Sequence, residues 1–367
     1  MAKNPCYGAA MSEHQDTFAQ GVRLQQAGQF QAALELYRAV AKSVVTVNLA
    51  CKMAFCLSSI GELDEALVWL RMAARHKPDA RVVLETSLKV SGDLLTVGRY
   101  GEGWPLMESR VALFPNLVAP IKVSFPEWKG ETLTGKSILV WVEQGFGDQI
   151  MLVRFARQLA ERGARVTVAC RPPLAPLFAE AEGVHKVISI AQRQQMSIDR
   201  YDYWSRYFSL PLHLGTTLDS LPNAPYLRTP ADRLARWTDF SGVGVMWRTS
   251  VTGSNAAAKM LPDAEAQRLL ESGCVSLQPE DTGVADFADT AAIIERLDLV
   301  ISVDTAVAHL AGAMGKPCWT LLPVQGLDWR WMHERQDSPW YPSMRLFRQR
   351  QAGDWTSVVD EVLAARR

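Results

Sequence analysis

Residues 297–323, LDLVISVDTAVAHLAGAMGKPCWTLLP, decide the fold. Residues 299–303 are an apolar run of strand length, residues 306–314 carry a helical pattern, and residues 318–322 are a second apolar run. Gly315 and Pro317 stop the helix between them. Strand, cap, helix, glycine, strand is one βαβ unit, and such a crossover joins parallel strands. Asp304 or Thr305 caps the helix, which leaves first-turn amides free to hold an anion. Ligands of open parallel sheets bind at the carboxyl ends of the strands, where this turn falls. A capped helix with no ligand fits the segment alone equally well.

Outward from this unit the same alternation occurs twice. Residues 137–142 read as a strand, 149–163 as a helix, 165–169 as a strand, 172–181 as a helix and 186–190 as a short strand. A proline-rich crossover at 218–229 follows. The second series has strands at 242–247 and 274–278, helices at 262–272 and 289–297, and then the opening unit. Alternation of this kind means parallel sheets with crossover helices. Two Rossmann-like lobes are therefore expected, residues 137–230 and 241–367, facing each other across a cleft. A last helix at 355–365 is expected to close the fold by packing across the join.

The first third of the chain is helical and repetitive. AGQFQAALELY from Ala27, IGELDEALVWL from Ile60 and VGRYGEGWPLM from Val97 align on Gly28, Gly61 and Gly98, spaced by 33 and 37 residues. Each glycine is followed by a large apolar residue and then a small one, Ala33, Ala66 or Gly103. The glycine lets the chain turn between two helices, and the small residue lets them approach closely. This resembles the tetratricopeptide repeat, whose period is about 34 residues. Residues 12–115 are expected to form three such hairpins, whose concave face binds a protein partner or docks on the next domain. Residues 116–136, with Pro120, Pro126 and Gly130, read as a linker.

Lys and Arg total 39 and Asp and Glu total 39, which excludes nucleic-acid binding by bulk electrostatics. The six cysteines form no CxxC pair and no zinc-like cluster, so no metal is expected. Cys170, Cys274 and Cys318 fall in or beside apolar runs, which suits buried thiols in a reducing compartment. There is no apolar signal-like region and no run of membrane-spanning length, so a cytoplasmic protein with no membrane span is expected.

The first lobe opens with SILVWVEQGFGDQIMLVRF. Its strand runs into a turn, residues 143–148, where Gly145 and Gly147 allow a tight bend beside Gln144 and close approach to a ligand. Asp148 stands at the helix start, as an N-cap or as a group offered to substrate. EQGFGDQIMLVRF together with VGVMW, KMLP, VSLQ, DTAVAHLAGA and DSPWYPSMRLFRQ resembles family 9 glycosyltransferases, the group of the ADP-heptose:lipopolysaccharide heptosyltransferases. The resemblance is closest to bacterial proteins that join tetratricopeptide repeats to such a domain.

The resemblance implies a GT-B fold, with acceptor on the first lobe, at the loop of Gln144, Gly145 and Gly147, and nucleotide-sugar on the second. It implies metal-independent, inverting transfer without a cofactor beyond the nucleotide-sugar co-substrate. Asp148 matches the catalytic base, Lys259 the lysine that meets the donor diphosphate, and Asp304, Thr305 and Ala306 the donor-binding turn, with His309 one helical turn later. A carboxylate in reach of a hydroxyl can take its proton, and a lysine with helix amides can stabilise a leaving diphosphate. Arg248 follows the first strand of that lobe and can bind phosphate, or it is a surface charge. Ala256, Ala257 and Ala258 stand where related proteins carry more polar and basic residues. Trp329, Trp331, Trp340 and Tyr341 either stack on a nucleotide or pack a loop; packing is the expectation.

A glycosyltransferase acting on a protein or glycan acceptor, recruited by the repeats, is the leading expectation. Repeats joined to a GT-B domain also resemble the protein O-GlcNAc transferases in architecture. The rivals are a non-catalytic repeat scaffold with a degenerate GT-B domain and a lipopolysaccharide-directed heptosyltransferase-like enzyme.

Overall fold

Gly28, Gly61 and Gly98 each turn one helix back on another, with φ of +74°, +87° and +82°. Only glycine adopts such angles without steric cost. The structure is a computed structural model that describes residues 5–115, 121–191, 198–249 and 255–366. Its first unit, Met1–Val118, is helical. It holds α1 (Pro5–Gln26), α2 (Phe30–Ala41), α3 (Val47–Ser59), α4 (Leu63–His76), α5 (Arg81–Thr96), α6 (Tyr100–Met107) and α7 (Ser109–Leu113). The pairs α1–α2, α3–α4 and α5–α6 pack as antiparallel hairpins. Ala33 and Ala66 are fully buried between helices, and a side chain on Gly103 would meet Leu95 at 2.8 Å.

The second unit, Ala119–Arg367, is α/β and carries two parallel sheets, the two-sheet layout of a GT-B fold. The first sheet has β1 (Ser137–Trp141), β2 (Arg165–Cys170), β3 (Val184–Ser189) and β4 (Tyr203–Arg206), in the order β3-β2-β1-β4. Its helices are α8 (Phe146–Leu152), α9 (Phe155–Glu161), α10 (Ala175–Phe178) and α11 (Leu210–Leu214). The second sheet has β5 (Val243–Met246), β6 (Cys274–Ser276), β7 (Leu299–Val303), β8 (Cys318–Leu322) and β9 (Met344–Arg348), in the order β6-β5-β7-β8-β9. Its helices are α12 (Ala231–Arg236), α13 (Ala256–Lys259), α14 (Asp263–Glu271), α15 (Pro279–Thr282), α16 (Phe287–Arg296), α17 (Ala306–Ala313) and α18 (Trp355–Ala365). Ile138, Leu139 and Val140 of β1 and residues 300–303 of β7 are buried. Such near-continuous apolar strands belong to sheets covered on both faces. The chain order reverses beside β1 in one sheet and between β5 and β7 in the other, which are the ligand-binding positions of parallel sheets.

Several details depart from the sequence reading. The helix expected over 149–163 is two, because the chain breaks at Val153 and Arg154 between α8 and α9. Arg154 turns inward there, donating to Met151 O at 2.7 Å, Pro222 O at 2.8 Å, Trp340 O at 2.7 Å and Tyr226 Oη at 3.1 Å. Residues 121–136, read as linker, lie against the first sheet: Trp128 N donates to Trp204 O at 2.7 Å, and Phe125, Trp128 and Leu133 are buried. The rest of that linker, residues 116–120, lies outside the described residues, as do residues 250–254 of the loop before Lys259. α18 does not bridge the join. Its Trp355, Val358, Val359 and Val362 pack in one core with Val245, Ile301, Leu321 and Phe347 of the second sheet. β4 and β9 are strands that the sequence reading left out; both carry arginines, which mask their apolar pattern. Among the described residues no helix is long and apolar enough to cross a membrane.

Candidate functional site

The turn after β1 is held from beneath. Glu143 is buried and its Oε1 accepts from Phe208 N at 2.6 Å. Gln144 takes a left-handed φ of 60°, an angle that a non-glycine residue holds only when its surroundings fix it. Gln149, fully buried, donates through Nε2 to Gly145 O at 3.2 Å and accepts Arg171 N on Oε1 at 3.2 Å. Gly145 is the N-cap of α8, so Asp148 is the third helical residue rather than the cap. Its Oδ2 reaches back to accept from Gly145 N at 3.0 Å.

The turn after β7 is built differently. Thr305 is the N-cap of α17, and its Oγ1 accepts from Val307 N at 3.2 Å. Ser302 Oγ lies 3.0 Å from the same hydroxyl. The neighbouring amides of Ala306 and Ala308, in the first turn, have no intrahelical acceptor. Asp304 is buried just before the cap, and Lys259 Nζ, from the end of α13, donates to its Oδ2 at 2.5 Å. Burial alone would raise the Asp304 carboxyl. The Lys259 ammonium, then the Arg330 guanidinium, hold it below its ordinary value.

α8 and α17 pack against each other, and this joins the two turns. A Cβ on Gly147 would lie 2.8 Å from His309 Cδ2 and 3.6 Å from Ala306 Cα. Between the turns sits Arg330, on the 3₁₀ turn Trp329–Trp331 that Asp328 caps. Its Nη2 donates to Asp148 Oδ1 at 2.7 Å, and its Nη1 lies 3.3 Å from His309 Nε2. Its Nε is 2.9 Å from Asp328 Oδ1 but off the line of the N–H, so this contact is an ion pair without an aligned hydrogen bond. Burial would lower the guanidinium, but Asp328, Asp148 and Asp304 hold it above its ordinary value. Burial raises the Asp328 carboxyl despite the pull of Arg330.

His309 is 2 % exposed, and burial, followed by the Arg330 cation, pushes its pKa down to about 3. The ring is therefore neutral near pH 7. Nε2 then accepts from Arg330, and Nδ1 donates to Tyr341 Oη at 2.8 Å. The Tyr226 hydroxyl donates to Ile150 O at 2.9 Å, and the Arg154 guanidinium lies over the rings of both Tyr226 and Tyr341.

Of the residues singled out in the sequence, Asp148 and His309 meet at Arg330, Asp304 lies 3.9 Å from His309 and pairs with Lys259, Thr305 caps the helix that carries His309, and Ala306 lies against Gly147. Gln144 and Gly145 form the turn beneath Asp148. Arg248 is not brought in: it is half exposed and pairs with Asp263 at 2.9 Å and Glu280 at 3.6 Å. His309 bonds across to Tyr341 and Arg330 rather than along its own helix. Trp331, Trp340 and Tyr341 are buried. Trp331 stacks on His309 with ring centroids 5.2 Å apart, and Trp340 and Tyr341 flank the Arg154 guanidinium. Sequence reasoning missed Arg330, Asp328 and Arg154. The only signal was a charged pair inside the aromatic run DWRW. Among the described residues no group of three His, Cys, Asp or Glu side chains is placed to hold a metal ion.

Protein FlbA of Caulobacter vibrioides is 26 % identical over 361 residues, covering 86 % of this chain, and the chain spans 60 % of that relative's length. Among solved structures, the glycosyl transferase family 9 protein from Veillonella parvula is 12 % identical, with 64 % of this chain and 91 % of that one covered and a TM-score of 0.43. E. coli ADP-heptose LPS heptosyltransferase II is 13 % identical, with 63 % and 99 % covered and a TM-score of 0.43. Residues 244–324 match glycosyltransferase family 9 (heptosyltransferase), a stretch that holds Lys259 and the turn from Asp304 to His309.

Proposed function

We propose that the chain is a glycosyltransferase that moves a sugar from a nucleotide-sugar to a hydroxyl of a protein or glycan acceptor, with inversion and without a metal. The observation that carries this reading is the close approach of the α8 turn that bears Asp148, through Gly147, to Ala306 and His309 of α17, next to the Lys259–Asp304 pair. In this reading the donor diphosphate lies at the amino end of α17. The orphan amides there and the Lys259 ammonium supply positive potential. The acceptor oxygen attacks the anomeric carbon, the bond from that carbon to the diphosphate oxygen breaks, and Asp148 takes the hydroxyl proton. The electron pair leaves with the diphosphate, whose growing charge Lys259 and the amides offset. The helical hairpins of the first unit recruit the acceptor.

One observation favours the scaffold instead. Both oxygens of Asp148 and the Lys259 ammonium already have partners within the protein. A screen of ADP-, UDP-, GDP- and CMP-sugars separates the two by thermal shift and by release of free nucleotide. The transferase reading expects one donor class to stabilise the protein and to be hydrolysed slowly. A scaffold leaves every nucleotide-sugar unbound and intact.

A further inference from the structure

We propose that Arg330 is a positioning residue that fixes the Asp148 carboxylate for proton transfer, an inference that rests on the transferase reading. A carboxylate that accepts a proton in a transition state must be held at one angle. Asp148 has one oxygen tied to its own turn, through Gly145 N at 3.0 Å, and the other to Arg330 Nη2 at 2.7 Å. Together these contacts remove its freedom to rotate, while each oxygen keeps lone-pair capacity for a further bond.

The guanidinium is fixed in turn by the second-sheet half of the unit. It is planar, so holding two of its edges sets the third. His309 Nε2 lies 3.3 Å from Nη1, and the Asp328 carboxylate draws the Nε side electrostatically at 2.9 Å. His309 is clamped by Tyr341 and by the stacked ring of Trp331. The arginine side chain is only 8 % exposed, and Asp328 would neutralise it without leaving its own turn. Its reach to Asp148, on the far side of the α8–α17 contact, adds a link whose effect is to tie the carboxylate to the half that presents Lys259 and Thr305.

The backbone on both sides of this link is constrained. Gln144, before α8, and Met332, two residues after Arg330, have φ of 60° and 52°. Non-glycine residues hold such angles where the surroundings over-determine them. In the reaction Arg330 neither gains nor loses a proton. The proton goes from the acceptor hydroxyl to Asp148, and Arg330 keeps its other partner, Asp328.

The test uses the full chain and the nucleotide-sugar of that panel with the highest wild-type turnover. Variants Arg330→Ala, Arg330→Lys, Asp148→Asn and the Arg330→Ala/Asp148→Asn double are compared for kcat and donor KM, with thermal unfolding as the folding control. A positioning role predicts that Arg330→Ala loses roughly a hundredfold in kcat, with a smaller change in donor KM. Added methylguanidinium restores part of that loss, and in the Asp148→Asn background Arg330→Ala costs nothing further. If Arg330→Ala does not fold, Arg330→Lys, which keeps the charge and loses the fork, carries the same cycle. Losses that multiply in the double variant, or a kcat unchanged by the arginine substitution, overturn the role while leaving the transferase reading in place. A folded wild-type chain that turns over no nucleotide-sugar overturns both.

Discussion

Gly147 of α8 lies so close to His309 of α17 that a Cβ on the glycine would stand 2.8 Å from the ring carbon Cδ2. The ring cannot give way, because Tyr341 and Arg330 bond its two nitrogens and Trp331 stacks on its face. The absent side chain therefore sets how closely the first turn approaches the second.

Gly147→Ala is expected to destabilise the protein by about 1–3 kcal/mol, the usual cost of overpacking a well-filled site. Turnover should fall with it, since α8 carries Asp148. Urea unfolding checks the first part, and an unchanged midpoint would show that the helices separate freely.

Lys259→Ala leaves Asp304 buried without its nearest cation. Lys259 keeps 21 % of its side chain in solvent and Asp304 only 6 %, so the loss is expected near roughly 3 kcal/mol, the low end for a broken buried pair. Calorimetry with the bare nucleoside and with its diphosphate tests the binding role. The account expects the diphosphate to weaken more than the nucleoside; equal losses remove Lys259 from the phosphate site.

The buried His309 makes stability depend on acid. Its folded value is about 3 against 6.5 for the free side chain, so below pH 6.5 the unfolded chain binds a proton that the folded chain refuses. Above pH 6.5 this has no effect. As pH falls from there toward 3, unfolding becomes easier by up to about 1.4 kcal/mol per unit. Asp304, Asp148, Arg330 and Arg154 surround the ring and remain in a His309→Gln variant. The stability gap between wild type and His309→Gln should therefore narrow by roughly 2 kcal/mol from pH 7 to pH 5. A gap that stays constant would mean that the ring is already solvated or charged.

Arg154 tests how the two sheet halves are held. Its partners are three carbonyls, the Tyr226 hydroxyl and the rings of Tyr226, Trp340 and Tyr341. Lysine cannot reproduce this fork, so Arg154→Lys is expected to cost at least about 2 kcal/mol by leaving buried carbonyls unpaired. Unfolding at the wild-type midpoint would show that these bonds are dispensable.

What could be read in the sequence follows from how local each signal is. β7, Thr305 and α17 lie in one stretch whose apolar runs, cap and stop glycine are adjacent, and the hairpin glycines repeat at similar spacing. Arg154 and Arg330 have no such pattern. Arg154 reads as part of a continuing helix, and its meaning comes from Pro222 and Trp340, which lie 68 and 186 residues away. Arg330 sits in an aromatic run that reads as packing mass, and the partner that matters is 182 residues earlier. Arg248 also takes its partners from beyond its own stretch: it follows β5, and its guanidinium pairs with Asp263 and Glu280.

The central claim is that Asp148 takes the acceptor proton, and Asp148→Asn tests it most directly. Asparagine keeps the shape, but its single oxygen can serve either Gly145 N or Arg330 Nη2 and the ion pair with Arg330 is lost, so stability is expected to fall by roughly 1–3 kcal/mol and transfer is compared on folded protein. Single-turnover transfer from the donor identified in the nucleotide-sugar screen should slow by about a hundred- to ten-thousandfold, the usual worth of a positioned base. A folded Asp148→Asn protein that transfers at the wild-type rate would contradict the account and leave Asp148 as a residue that only steadies the first turn of α8.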